Sequence, residues 1–82
     1  MNQRLYRIRS GRVWYKGRSG WCLGEHDSPI FTNRLNAERT RSRELKITKE
    51  LSETRPDLPW EVRNHALWCA AEIVEYELVP VR

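Results

Sequence analysis

Hydrophobic and polar side chains alternate in two well-separated parts of the sequence. In "RLYRIR" (4–9), Tyr6 and Ile8 alternate with arginines, which is typical of a strand with one buried face. The stretch "EIVEYELVPV" (72–81) alternates in the same way. Pro80 lacks a backbone donor and is expected to mark the free end of that strand. The pattern therefore predicts a first and a last strand.

Shorter strands are predicted between the first strand and the first helix. "VWY" (13–15) contains residue types that favour strands, and the glycine-bearing "KGRSG" (16–20) is typical of a hairpin loop. "WCL" (21–23) is predicted to be a third strand, and "GEHDSP" (24–29) a loop. "IF" (30–31) either adds a fourth pairing segment or packs beneath the next helix.

Two helices are predicted in the middle of the sequence. Thr32 or Asn33 can cap the first, which runs to about Thr54 and carries an apolar stripe only in its second half. "RPDLP" ends this helix because prolines lack a donor and restrict the residue before them. Asp57 can then cap a second helix, from roughly Leu58 to Ala71.

These elements predict an α+β fold: an antiparallel sheet of three to four strands with two helices on one face. We expect residues 1–82 to form a single domain. Placing the first strand beside the last pairs Arg7 and Arg9 with Glu75 and Glu77. The core is expected to contain Tyr6, Ile8, Trp14, Phe31, Leu45, Leu51, Leu67, Trp68, Val74, Tyr76 and Leu78.

The composition is that of a folded domain outside the membrane. Hydrophobic residues make up 39% of the chain and charged residues 32%, which is typical of globular proteins. The sequence has no apolar run long enough to span a bilayer, and "MNQRLYRIRSGR" lacks the apolar centre of a signal peptide. We therefore expect a cytoplasmic location without a membrane partner, where Cys22 and Cys69 stay reduced.

The net charge of +4 is unevenly distributed. Residues 1–21 carry six basic and no acidic side chains, whereas residues 57–82 carry two basic and five acidic ones. A basic surface is typical of proteins that bind polyanions. The same asymmetry also fits two parts of one fold that neutralise each other.

Basic residues interleaved with aromatic residues form the main candidate site. In "RVWYKGRSGW" (12–21), alternation is expected to bury Trp14 and to leave its neighbours as a basic rim. Arginine binds planar anions, and an aromatic ring stacks on a base with about 1–3 kcal/mol. The alternative is a core of aromatics beside solvated arginines. The predicted ligand-binding residues are Arg12, Tyr15, Lys16, Arg18, Trp21, Arg39, Arg43 and Lys46.

Two cysteines and two histidines occur as Cys22-x-x-x-His26 and His65-x-x-x-Cys69. Two sulfur and two nitrogen ligands suit tetrahedral zinc, and helical residues four apart share a face. The spacing is looser than that of zinc motifs, so a buried thiol and surface histidines are the favoured interpretation. We expect no metal or other cofactor. No motif combines an acid, a base and a nucleophile, which predicts a protein that is not an enzyme.

Three stretches together resemble a loose group of small bacteriophage accessory proteins: "RLYRIRSGRVWYKG", "PIFTNRLNAERTR" and "AEIVEYELVPV". The sequence departs from that group by the insertion "DLPWEVRNHALWC" before the last strand. The resemblance implies a phage protein that works in the bacterial cytoplasm. Small phage proteins of this kind commonly bind and block host components, including defence systems.

Three hypotheses about function follow. The preferred one is non-catalytic binding of an anionic ligand, either a nucleotide-type signal or a nucleic acid, in counter-defence or host takeover. The second is a protein–protein inhibitor of a host defence or nucleic-acid enzyme. The third is a small structural or homo-oligomeric phage protein.

Overall fold

The computed structural model describes residues 3–18 and 20–78, with the backbone alone for Leu78. These residues form a four-stranded antiparallel sheet and two α-helices, which confirms the predicted α+β fold. The predicted continuation of the last strand through Pro80 lies outside the described residues, as does the side chain of Leu78. In chain order the elements are β1 (Gln3–Ser10), β2 (Val13–Gly17), β3 (Gly20–Cys22), a 3-10 turn (Glu25–Asp27), α1 (Arg34–Thr54), α2 (Pro59–Cys69) and β4 (Glu72–Leu78).

The sheet has the strand order β3-β2-β1-β4, so the first and last strands are neighbours as predicted. β1 pairs with β4 from Gln3 opposite Leu78 to Arg9 opposite Glu72. On its other side β1 pairs with β2 only near the hairpin turn. β1 therefore lies in the interior of the sheet and joins the β2–β3 hairpin to β4.

Phe31 completes the side of β1 that β2 leaves open. Its backbone N–H and C=O both bond to Tyr6, at 2.8 Å each, as an isolated bridge. Of the two roles predicted for "IF", Phe31 therefore takes the pairing role. Its side chain also packs against the core.

The register assigns each strand residue to one of two faces, because residues directly opposite each other share a face. We call the face that packs against the helices the helix face and the other the open face. The helix face carries Tyr6, Ile8, Tyr15, Trp21 and Ile73. The open face carries Arg7, Arg9, Trp14, Val74 and Tyr76.

The predicted orientation of Trp14 and Tyr15 is wrong. Tyr15 is buried on the helix face with 6% of its surface exposed. Trp14 lies opposite Arg9 on the open face, and its ring is 5.5 Å from the Arg9 guanidinium. The cause is the β1–β2 register, which aligns Tyr15 with the row of Ile8. The first three residues of β2 are all apolar, so they show no alternation of apolar and polar side chains. The register could therefore not be predicted from them.

Three other predicted core residues also lie elsewhere. Val74 and Tyr76 belong to the open face, since they are opposite Arg7 and Leu5. Leu51 is 38% exposed on α1.

The charge pairs between β1 and β4 differ from the predicted ones. Arg9 donates from its Nε to Glu72 Oε1 at 3.0 Å, and Arg4 lies 3.7 Å from Glu75. The guanidinium of Arg7 instead lies over the Tyr76 ring, 5.2 Å from its centre. The register places Glu72 opposite Arg9 on the open face. Because side chains alternate along β4, the two glutamates that follow in this strand lie on the helix face.

The helix starts differ in how they are capped. Of the two predicted candidates, Thr32 and Asn33, it is Asn33 that caps α1, since its side chain accepts a hydrogen bond from the Leu35 N–H at 2.8 Å. α2 begins at Pro59 with Leu58 as its N-cap and no side-chain cap. The predicted capping role of Asp57 is therefore wrong; its carboxylate lies 3.6 Å from Arg55.

The core between the sheet and the helices is built from aromatic rings. Trp68 of α2 is completely buried, and its ring centre lies 5.3 Å from Tyr15 and 4.8 Å from Trp21. Phe31 stacks on the other side of Tyr15 at 6.4 Å, and Ile8 belongs to the same cluster. Within residues 3–18 and 20–78, neither helix is long and apolar enough to cross a membrane.

Candidate functional site

The two aromatic residues predicted to contact a ligand are part of the core. Tyr15 is buried, which contradicts its predicted place on a surface rim. Trp21 is half-buried against the core, and its indole N–H donates to Asn64 Oδ1 at 2.9 Å. Burial raises the pKa of Tyr15, and the carboxylate of Glu44 raises it further while Arg43 lowers it. The rings are therefore held by packing and leave little area for stacking a base.

The predicted basic residues of the hairpins are at opposite ends of β2. Arg12 lies in the β1–β2 turn, whereas Lys16 and Arg18 lie at the β2–β3 turn. Lys16 follows Arg12 by four residue steps along the strand, which is roughly 13 Å. Arg18 has a left-handed backbone, with φ of 49°. The structure therefore divides the predicted rim into two separate positions.

The basic row of α1 lies on a third surface. Arg39, Arg43 and Lys46 are all exposed. At 100° per residue they project from the side of the helix opposite Ala37 and Thr48, which are buried toward the rest of the protein. This row therefore lies on the side of α1 that faces away from its buried residues.

One predicted residue, Arg12, lines an apolar groove between the β1–β2 turn and α2. The groove has a volume of ≈ 460 Å³, within the range of small-molecule sites. Its lining is Ser10, Gly11, Arg12, Val13, Arg63, Ala66, Leu67 and Ala70. We call this feature the turn groove.

Local sequence explains the walls of the turn groove. Gly11 adopts a φ of 59°, a left-handed conformation that glycine accepts without steric cost and that makes the tight turn possible. Ser10 is buried, and its hydroxyl donates to the Leu67 carbonyl, which ties the turn to α2. Ala66 and Ala70 are one helical turn apart, and their small side chains leave the space open.

Two cations flank this apolar surface. Arg12 and Arg63 both line the turn groove, and neither has a hydrogen bond or ion pair with another residue in 3–18 or 20–78. Guanidinium groups without a protein partner remain available to carboxylate or phosphate oxygens, which they can bind in bidentate fashion. The turn groove therefore combines an apolar floor with two guanidinium groups.

The sequence interpretation missed Arg63. The sequence feature that could have indicated this residue is the spacing Arg63–Ala66–Ala70, which places a cation and two small residues on one helical side. The partner wall comes from residues 50 or more positions earlier, and the Ser10–Leu67 hydrogen bond that aligns them has no sequence signature.

A second groove of ≈ 460 Å³ lies between α1 and β4, and its charged groups are already paired. Arg34 donates to Glu38 at 3.1 Å, and Arg41 donates to the Ala71 carbonyl at 2.8 Å. Glu72 binds Arg9. An anion entering this groove has to displace existing partners, so the turn groove is the better candidate.

The four residues considered for zinc are not brought together. His65 and Cys69 are adjacent on α2, with Nε2 and Sγ 3.4 Å apart. The Cys22 thiol instead donates to the carbonyls of Trp14 and Gly24, and His26 is exposed in the 3-10 turn. Across residues 3–18 and 20–78, no three His, Cys, Asp or Glu side chains are placed to hold a metal ion.

Comparison of the chain with family models, with curated proteins and with solved structures found no match.

Proposed function

We propose that this protein binds a small anionic ligand of the nucleotide type in the turn groove, without changing it chemically. The observation that carries the proposal is the pair Arg12 and Arg63, which flank an apolar surface and lack partners among the described residues. A ligand that fits this groove buries its apolar wall and lies beside the two guanidinium groups. The groove therefore favours a ligand that has both an apolar surface and a negative charge.

A nucleotide has both parts. Its base can lie against Val13 and Leu67, while its phosphate accepts hydrogen bonds from the two guanidinium groups. Ser10 holds the two walls at a fixed separation through its bond to Leu67, so little ordering is needed when the ligand binds. A nucleic acid would instead need a continuous basic track, and the basic residues are divided among three surfaces.

The proposal is tested by thermal unfolding with adenosine and guanosine monophosphates, cyclic dinucleotides, and single- and double-stranded oligonucleotides. At ten times its dissociation constant, a bound nucleotide stabilises the fold by about 1.4 kcal/mol. That corresponds to a rise in Tm of about 6–11 °C for a domain of this size. We expect this rise to diminish as salt is added.

Two double variants, each of which removes two positive charges, show where on the protein the nucleotide binds. Arg12→Gln with Arg63→Gln is expected to abolish the shift, whereas Arg39→Gln with Arg43→Gln on the outer side of α1 leaves it unchanged. A flat response to every nucleotide, or a shift lost only in the α1 variant, refutes binding in the turn groove. A shift with oligonucleotides alone favours a nucleic acid.

A role in countering host defence is part of this proposal and rests on the sequence resemblance. The second candidate, a protein–protein inhibitor, is favoured by large apolar side chains on the helices. Ile47, Trp60 and Val62 are 43%, 59% and 47% exposed. Capture of one defined host protein that is lost in Trp60→Ser, without any nucleotide response, supports this second candidate.

A further inference from the structure

β4 has one long edge that faces away from β1. Among residues 3–18 and 20–78, β1 is the only strand that pairs with β4, because β4 is the last strand in the order β3-β2-β1-β4. A strand edge without a neighbour presents backbone N–H and C=O groups that another extended chain can bind. The strand at the other end of the sheet, β3, has three residues, whereas β4 has seven. We call this longer template the β4 edge.

The direction of the backbone groups of β4 follows from the pairing of β1. Tyr6 uses both its N–H and its C=O to bond to Phe31, on the side of β1 away from β4. Tyr6 and the opposite residue Glu75 are therefore a pair without mutual backbone hydrogen bonds. The two kinds of pair alternate along an antiparallel ladder, so Val74 bonds to β1. Ile73 and Glu75 consequently direct their N–H and C=O groups to the β4 edge.

The groove between α1 and β4 offers room for side chains of an added strand. α1 lies against the start of β4, where Arg41 Nε donates to the Ala71 carbonyl at 2.8 Å. Ile73 lines the groove on the strand side, and Glu38 and Ser42 line it on the helix side. An edge strand beside a groove suits peptide binding by strand addition, in which main-chain hydrogen bonds hold the peptide and pockets accept alternate side chains.

Charge determines which kind of strand fits the β4 edge. β4 contains three glutamates and no basic residue. The side chains of Glu72 and Glu75 are 56% and 41% exposed, and the ion pair of Glu75 with Arg4, at 3.7 Å, is beyond hydrogen-bond distance. The Glu75 carboxylate can therefore accept hydrogen bonds from an added basic side chain. In a fully overlapped antiparallel pair of two β4 strands, Glu75 is opposite its own copy, and opposed like charges are destabilising. A basic strand is thus favoured over a second copy of this chain.

We propose that the β4 edge binds an extended basic segment of another protein as an added antiparallel strand. The segment exchanges backbone hydrogen bonds with Ile73 and Glu75 and places a basic side chain beside Glu75. Beside Ile73 it carries an apolar side chain, because the groove there already contains Arg34 and Arg41. Its residue between these two lies on the open face beside the half-buried Val74 and is apolar as well. The β4 edge is separate from the turn groove, and its occupation does not depend on a nucleotide.

The probe is the end-blocked peptide Arg-Val-Arg-Val-Ile-Lys, whose third, fourth and fifth residues are designed to lie opposite Glu75, Val74 and Ile73. Fluorescence anisotropy gives its affinity for the wild-type protein. The matched peptide Glu-Val-Glu-Val-Ile-Glu is expected to bind at least about tenfold more weakly, because it opposes like charges. Hydrogen exchange followed by NMR locates the site: the amides of Ile73 and Glu75 are expected to become protected in the complex, while those of β3 keep their rates.

Two methylated peptides separate strand addition from simple charge attraction. An N-methyl group on the third residue removes an N–H that faces β4 and is expected to weaken binding by about tenfold. An N-methyl group on the fourth residue, whose N–H faces away from β4, leaves the affinity unchanged. Equal effects of the two methyl groups, or the reverse order, overturn the proposal.

A pair of protein variants tests the charge at the β4 edge. Glu75→Gln is expected to weaken the basic peptide by about two- to fivefold. Glu50→Gln makes the same change at an exposed position of α1 and is expected to leave the affinity unchanged. Failure of the basic peptide to bind the wild-type protein, equal losses in the two variants, or protection of β3 in place of β4 refutes the proposal.

Discussion

At the scale of single residues, the neighbours Trp14 and Tyr15 have opposite environments. Tyr15 touches three rings of the core, while Trp14 lies on the open face beside Arg9. Alternation along a strand requires that two consecutive side chains face opposite ways. Which of them is buried depends on the pairing with β1, and that pairing is a tertiary property.

Substitution by alanine measures this difference. Tyr15→Ala is expected to lower the free energy of unfolding by about 3–5 kcal/mol, because it leaves a cavity among aromatic side chains. Trp14→Ala is expected to cost about 1 kcal/mol, since its ring is only half-buried. Urea unfolding followed by far-UV circular dichroism gives both values. The opposite ranking would mean that Trp14 is the core residue.

At the scale of elements, helix α1 and its start were predictable from the sequence. Asn33 has the side chain that a first helical turn requires, and no proline or glycine interrupts the chain before Thr54. The start of α2 was less certain, because Asp57 and Pro59 are both compatible with a first turn. Proline already lacks one of the N–H groups that a cap satisfies, so α2 begins there without a side-chain cap.

The contribution of the α1 cap is measurable. Asn33→Ala removes the acceptor for the Leu35 N–H and is expected to lower the free energy of unfolding by about 1 kcal/mol. Thr32→Ala is the matched control, since Thr32 is exposed and adjacent in sequence, and it is expected to change stability by less than about 0.5 kcal/mol. Equal losses in the two variants contradict a specific capping role for Asn33.

The turn groove was only partly predictable. Arg12 follows from charge and from its position in a turn, but the apolar wall comes from α2. No periodicity within residues 1–21 indicates that Leu67 will lie beside Ser10. Local sequence patterns predict helices, strands and their buried faces. A groove between two elements depends on how those elements pack together, which local patterns do not show.

At the scale of the whole molecule, the protein is elongated, with extents of 55 × 23 × 18 Å. α1 has 21 residues and is therefore about 31 Å long. Its buried residues are Ala37, Glu44 and Thr48, and the turn into α2 from residue 53 to 57 is exposed throughout. The far end of the helical pair consequently has less tertiary support than the sheet.

Hydrogen exchange is expected to show this gradient. Amides in residues 51–58 should open with a free energy at least about 2 kcal/mol below that of the β1 amides, which lie in the interior of the sheet. Native-state exchange followed by NMR gives the opening free energy for each amide. Opening free energies in residues 51–58 that equal those of the β1 amides would contradict this gradient.

The strand order β3-β2-β1-β4 has a consequence for synthesis on the ribosome. β1 is made first, yet one of its edges stays without a partner until β4 leaves the exit tunnel, after both helices. Until then the nascent chain exposes a strand edge bearing Tyr6 and Ile8, which is a template for pairing with another chain. The β2 hairpin and Phe31 both pair with the opposite edge of β1, so protection of this edge before β4 emerges falls to any chaperone that binds extended segments.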